Sequence, residues 1–144
     1  MERIISPSAI SGSVTPPCSK SYAQRALAAA LLAEGESIIG NVEMCDDTRS
    51  ALRCIEALGA EVQHIDESTL KIRGGLAPST DRLHIGESGL ATRLFTPLAS
   101  LCDQPITIEG EGTILYRPIS MMIAPLRQLG VAVRDGGGFL PIQV

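Results

Sequence analysis

Two consecutive βαβαββ units, an α/β architecture, are expected from three features of the sequence. Short β-branched runs alternate with longer stretches whose apolar residues recur at helical spacing. Glycine and proline punctuate these segments where each should end. The order of segments then starts again, which marks an internal repeat. Leu58-Gly59-Ala60 answers to Leu129-Gly130-Val131 at an offset of 71, Ser37-Ile38-Ile39 to Ile106-Thr107-Ile108 at 69, and Arg25 to Arg93 at 68. Small insertions and deletions account for the drift. Crossovers in a βαβ unit are almost always right-handed, so both units share a hand. Their amphipathic helices are expected to pack together, with the sheets outside or flanking.

Taken in order, residues 3–5 and 11–15 read as short strands, and Pro16-Pro17 ends what precedes them because proline brings no N–H donor. Ser19 is a good N-cap for a helix to Leu32, with Gly35 suited to the turn beyond it. Ser37 to Gly40 is a strand. Asp46-Asp47-Thr48 places acidic capping chemistry at the start of the next helix. Ala51, Leu52, Ile55 and Leu58 give that helix its apolar face, and Gly59 stops it. Glu61 to Ile65 and Thr69 to Arg73 form a hairpin around Asp66-Glu67-Ser68. The second unit runs as a strand at Arg82 to Ile85, a helix from Leu90 to Leu101, a strand at Pro105 to Glu109 and a helix opened by Arg117-Pro118 and running to Leu129. A second hairpin pairs Val131 to Arg134 with Phe139 to Val144. Unit one spans about 12–75 and unit two about 80–144.

The 144 residues are 44% hydrophobic and 19% charged, ample for a packed core and unlike a disordered chain. Aromatics are 3% and tryptophan is absent, so Ala, Leu, Ile and Val must build the core. Scarce aromatics and a net charge of −4 argue against a nucleic-acid surface. Cys18, Cys45, Cys54 and Cys102 lack metal-ligand spacing, and His64 and His84 stand apart, so no metal site is expected. The cysteines read as small hydrophobes of a reducing compartment. Cys18, beside Lys20 and a helix start, is the one whose thiol has a setting for activation. Met1 to Pro17 has no apolar run like that of a secretory signal, and no run reaches membrane-spanning length. A cytoplasmic protein is the expectation.

The stretch Pro16 to Arg25 carries the main chemical signal. Lys20 opens a helix and Arg25 follows little more than a turn later. A helix N-terminus prefers anions, so cations there fit a site completed by an anion from outside. Ser21 and Arg25 share a face, four residues apart. A hydroxyl, an ammonium, a guanidinium and free backbone N–H groups would suit a phosphate or carboxylate. Solvated side chains would explain each cation singly. Yet Arg49, Arg93 and Arg117 repeat the choice at the other helix starts, and the pseudo-symmetry would gather them into one anion-binding face.

The ordered set Pro17-Cys18-Ser19-Lys20-Ser21, Arg25, Asp46-Asp47-Thr48-Arg49, Gly86-x-x-Gly89-x-x-x-Arg93 and Arg117-Pro118-Ile119 resembles the EPSP synthase (3-phosphoshikimate 1-carboxyvinyltransferase) family across nearly the whole chain. The resemblance implies the enolpyruvyl transferase fold, in which each of two domains holds three βαβαββ units, helices inside and sheets outside. The two units here would be two of the three in one domain. Family members are about three times as long, so the resemblance implies an N-terminal fragment, partnered by the missing C-terminal part of the same protein. It implies transfer of the enolpyruvyl group of phosphoenolpyruvate to the 5-hydroxyl of shikimate 3-phosphate, with release of phosphate, in the shikimate pathway of aromatic amino acid biosynthesis. The reaction passes through a tetrahedral intermediate without metal or organic cofactor.

By the same resemblance, Lys20 contacts phosphoenolpyruvate and neighbouring substrate oxygens as the catalytic candidate. Ser21 and Arg25 hold shikimate 3-phosphate, and Arg117 binds phosphoenolpyruvate. Gly89 lets the backbone approach that substrate, Asp47 orients basic residues, and Arg93 has a supporting role. The family loop commonly reads Gly-Asn-Ala-Gly-Thr, whereas this chain has Gly86-Glu87-Ser88-Gly89-Leu90. Glu87 would be out of place beside an anion unless paired with a cation. The family's acid–base groups and remaining arginines lie beyond Val144, so the chain alone is expected to be inactive. Two alternatives stand beside this one. UDP-N-acetylglucosamine enolpyruvyl transferase shares the fold but typically has Lys-Asn where this chain has Lys20-Ser21. The other is a non-catalytic anion-binding module.

Overall fold

The computed structural model describes residues 3–4 and 6–144. The first helix, α1 (Lys20–Leu32), starts at the Ser19 N-cap, whose Oγ accepts from the Tyr22 N–H. Ala23, Gln24, Leu27, Ala28, Ala30 and Leu31 form its buried face, and the small alanines let neighbouring helices come close. Strand β1 (Glu36–Ile39) leads to α2 (Asp46–Ala57), which carries Asp46 and Asp47 in its first turn. Gly59, with φ +114°, turns the chain out of α2. Strands β2 (Glu61–His64) and β3 (Leu70–Arg73) form the expected hairpin. The sheet order is β1-β3-β2, antiparallel throughout. On β3, Leu70 and Ile72 are fully buried while Lys71 and Arg73 reach Glu36 on the outer face.

The second unit opens with β4 (Arg82–His84) and α3 (Gly89–Ala99). Then come β5 (Thr107–Glu109), a short 3₁₀ helix (Gly112–Tyr116), α4 (Ser120–Gln128), β6 (Arg134–Asp135) and β7 (Ile142–Gln143). The sheet order is β4-β5-β7-β6, with β4 and β5 parallel and the other pairs antiparallel. Leu83, Ile108 and Ile142 point inward, and Arg82 bonds Glu109 at the surface. One continuous core joins the two units, because α1 packs on both α2 and α3, and α2 packs on β4.

Several sequence expectations need correction. Residues 11–15 form no strand and are exposed. Val14 is their one large apolar side chain, too little to hold a strand on a core. Among the described residues the first sheet therefore has three strands, lacking a counterpart to β4. The strand expected at 3–5 includes Ile5, outside the described residues, and Arg3 and Ile4 are exposed coil. The last helix starts at Ser120, not Arg117. Arg117 is extended (φ −93°, ψ 126°) because a residue before proline is steered away from the helical region. The second hairpin is paired over only two residues per strand. Of the apolar side chains on or just past α4, Met121 and Leu129 are exposed.

Candidate functional site

The N-terminal ends of the helices meet. Lys20, first residue of α1, pairs with Asp47 in the first turn of α2, Nζ to Oδ2 at 2.6 Å. The hydrogen bond to Lys20 holds the Asp47 carboxyl below the usual carboxylate range. The same pairing holds the Lys20 ammonium above the ordinary lysine value. Ser88 is the N-cap of α3 and its Oγ accepts from the Ala91 N–H at 3.2 Å. It also donates to Gln24 Oε1 of α1 at 3.2 Å. Ser88 has one hydroxyl proton, and it goes to Gln24. Ser88 and Gln24 are 4% and 1% exposed, which makes this a buried polar link rather than a surface contact.

On the other side of Ser88, Gly89 faces two arginines. A Cβ placed at Gly89 would lie 3.5 Å from Arg93 Nη2 and 3.8 Å from Arg117 Nη1. Arg93 Nε donates to the Gly89 carbonyl at 3.0 Å, and Arg117 Nη2 donates to Thr113 Oγ1 at 3.1 Å. Among the described residues neither guanidinium has a carboxylate within 4.0 Å. With Thr92, Ile114 and Met122 they line a cavity of about 320 Å³. Two like charges with no carboxylate in direct contact repel, and an anion between them removes the repulsion. Arginine forks suit carboxylate and phosphate oxygens.

Lys20, Asp47, Gly89, Arg93 and Arg117 thus sit around the Ser88 turn. Ser21 and Arg25 lie outside the Gly89–Arg117 cavity. Arg25 Nη1 donates to the Ser21 carbonyl one turn back, at 2.9 Å. The convergence expected of Lys20, Ser21 and Arg25 is not what their side chains show, since the ammonium turns to Asp47 and the guanidinium to its own helix. Sequence reasoning also passed over Gln24, Ser88 and Thr113. Gln24 had a signal: a lone amide on the apolar stripe of Leu27, Ala28 and Leu31 needs a buried partner. Ser88 had one too, a serine just before a helical run.

All four cysteines are free, and burial pushes the Cys54 thiol up to about 12, so it is an inert core group. Cys18 packs half-buried against the core. Among the described residues no group of three His, Cys, Asp or Glu could hold a metal ion. Among the described residues no helix is long and apolar enough to cross a membrane.

The family model for EPSP synthase (3-phosphoshikimate 1-carboxyvinyltransferase) matches residues 4–144. A 3-phosphoshikimate 1-carboxyvinyltransferase of Chlamydia muridarum is 40% identical over 136 residues, 92% of this chain and 31% of its own length. One from Gloeobacter violaceus is 38% identical over 144 residues, 94% of this chain and 33% of its own. The solved EPSP synthase of Acinetobacter baumannii superposes with a TM-score of 0.82 at 24% identity, over 92% of this chain and 32% of that one. The chain spans about a third of the length of these curated relatives.

Proposed function

We propose, for a chain that belongs to the EPSP synthase family, that it supplies one wall of an enolpyruvyl-transfer site. The reaction moves the enolpyruvyl group of phosphoenolpyruvate to the 5-hydroxyl of shikimate 3-phosphate and releases phosphate, a step toward chorismate in the cytoplasm. The two repeats, about 12–75 and about 80–144, are read as units of one domain. The observation that carries the reading is the pair of guanidinia, Arg93 and Arg117, both beside Gly89 and, among the described residues, without a carboxylate within 4.0 Å.

In this reading Arg117 binds phosphoenolpyruvate, Arg93 supports it, and Gly89 keeps the space between them open. Lys20 reaches substrate oxygens as the catalytic candidate, and Asp47 holds its ammonium charged and aimed until an anion arrives. Ser21 and Arg25 take shikimate 3-phosphate. Arg25 leaves the Ser21 carbonyl to do so, a rearrangement within the reach of an exposed side chain. Both substrates are anions, and gathering cations at helix N-termini offsets the charge that each brings. Catalysis needs groups on every side of the reacting centre and exclusion of water. One wall leaves the centre open, so the chain alone binds weakly, with dissociation constants on the order of 1 mM, and does not turn over.

The test is phosphoenolpyruvate titration of the chain against Arg117→Ala and Lys20→Ala, with a phosphate-release assay alongside. Binding that both substitutions weaken, without turnover, is expected. Equal affinity in all three proteins, or steady phosphate release by the chain alone, contradicts the reading.

A further inference from the structure

Glu87 is the residue that the proposed function leaves unexplained. A carboxylate next to a site for two anions opposes them, and a neutral amide would not. The structure shows where its charge is spent. Glu87 Oε2 accepts two hydrogen bonds from Thr113, one from the backbone N–H at 2.8 Å and one from the hydroxyl at 2.7 Å. A threonine hydroxyl has one proton to give. With that proton directed to Glu87, Thr113 Oγ1 is left as an acceptor, and Arg117 Nη2 donates to it at 3.1 Å. The bonds run in one direction, from guanidinium to hydroxyl to carboxylate, and each group meets the next in its only compatible role. Charge at both ends polarises the hydroxyl between them and strengthens both bonds.

The backbone is shaped around the same carboxylate. Gly112 has φ +59°, and a Cβ there would fall 2.4 to 2.6 Å from the Glu87 carboxyl atoms. Glycine is what allows the 3₁₀ turn to close on Glu87. Thr113 and Arg117 stand four residues apart at the two ends of that turn. Glu87 lies two residues before Gly89, in the loop that starts α3. The carboxylate therefore ties the segment carrying Arg117 to the loop carrying Gly89.

We propose that Glu87 is a positioning residue, which acts through the Thr113 hydroxyl to hold the Arg117 guanidinium beside Gly89. The inference rests on the reading of Gly89, Arg93 and Arg117 as the phosphoenolpyruvate side of the site. It accounts for a carboxylate in an anion site, since its charge is taken up by Thr113 and, more distantly, by Arg117. The Glu87 carboxyl accordingly lies below its usual range, first through the Thr113 hydroxyl and next through the Thr113 amide. Asp46, Asp47, Arg49, Arg53 and Glu111 line the neighbouring cavity with it, so the two arginines there meet four carboxylates.

The experiment follows the Arg117 guanidinium by side-chain 15N NMR in the ligand-free chain and pairs it with phosphoenolpyruvate titration. Thr113→Val keeps the shape and removes the hydroxyl, and Thr113→Ser restores it. Thr113→Val should free the guanidinium to rotate and weaken phosphoenolpyruvate binding by about 3- to 10-fold, the effect of one hydrogen bond. Thr113→Ser should bring both back. Glu87→Ala should also loosen the guanidinium, and the two substitutions should be less than additive in Glu87→Ala/Thr113→Val, because the hydroxyl path is shared while the bond to the Thr113 N–H is lost only with Glu87. A guanidinium equally ordered in the unaltered chain and in Thr113→Val overturns the inference, whatever phosphoenolpyruvate does. A guanidinium ordered by the relay in a chain whose phosphoenolpyruvate affinity ignores Arg117→Ala upholds the positioning and removes the substrate reading.

Discussion

Replacing Ser88 by alanine should unfasten the junction of α1, α2 and α3, and its cost follows from two contacts. The Ser88 Oγ caps α3 through the Ala91 N–H, and loss of a serine cap costs about 1 kcal/mol. The same hydroxyl donates to Gln24 Oε1, and a carbonyl left unpaired at 1% exposure costs about 2 kcal/mol more. The sum is about 3 kcal/mol. An unfolding entropy of about 2.1 cal/mol/K per residue gives about 0.3 kcal/mol/K for a chain of this length. Ser88→Ala should then lower Tm by about 10 °C in a calorimetric melt. Removing both partners of a buried hydrogen bond is close to neutral, so Ser88→Ala/Gln24→Met should recover about 2 kcal/mol and leave only the lost cap. A drop below about 0.5 kcal/mol for Ser88→Ala, or no recovery in the double variant, refutes the reasoning.

Thr96 is fully buried and, among the described residues, its Oγ1 has no hydrogen-bond partner. Thr96→Val should therefore stabilise the chain by about 1 kcal/mol, read as a rise in the urea midpoint with unchanged slope. Gly89→Ala should fold normally, because the added methyl meets nothing closer than 3.5 Å. It should weaken phosphoenolpyruvate by about tenfold in calorimetric titration, since it intrudes between the guanidinia. The Lys20–Asp47 pair sets a pH window. Asp47 is depressed, so its contribution is present above its unfolded-state pKa and is lost as pH falls through the lower folded value. Lys20 is raised, so its contribution is present below its unfolded-state pKa and is lost as pH rises through the higher folded value. The stability difference between the unaltered chain and Lys20→Met should be flat through neutrality and shrink in acid. Growth of that difference in acid would contradict the pairing.

Helices and central strands were legible where local chemistry and burial agree. Ser19 at the start of α1 and the alternation along Leu70 to Arg73 are signals that packing reinforces. Residues 11–15 were misread because strand propensity describes fit to a half-buried surface, and this segment has no such surface. The start of α4 was misplaced because proline at a first turn also pushes the preceding residue into an extended conformation, and at Arg117 that second effect prevailed. Within the site, helix starts bearing cations were visible as a pattern. Where each cation points was not, because Asp47 lies 27 residues from Lys20 in sequence and the Ser21 carbonyl competes for Arg25. Glu87 looked misplaced for the same reason: its partner Thr113 is 26 residues away, in a 3₁₀ turn without a periodic signature.

The central claim is that the gathered helix N-termini form one wall of a site for phosphoenolpyruvate and shikimate 3-phosphate. Its most direct test is backbone-amide NMR of the chain titrated with each of these ligands and with UDP-N-acetylglucosamine. Phosphoenolpyruvate should move the amides around Gly89, Arg93 and Arg117. Shikimate 3-phosphate should move those around Lys20, Ser21 and Arg25, and the nucleotide sugar should move neither set. Shifts from the nucleotide sugar at these amides, or silence there with both predicted ligands, would contradict the account.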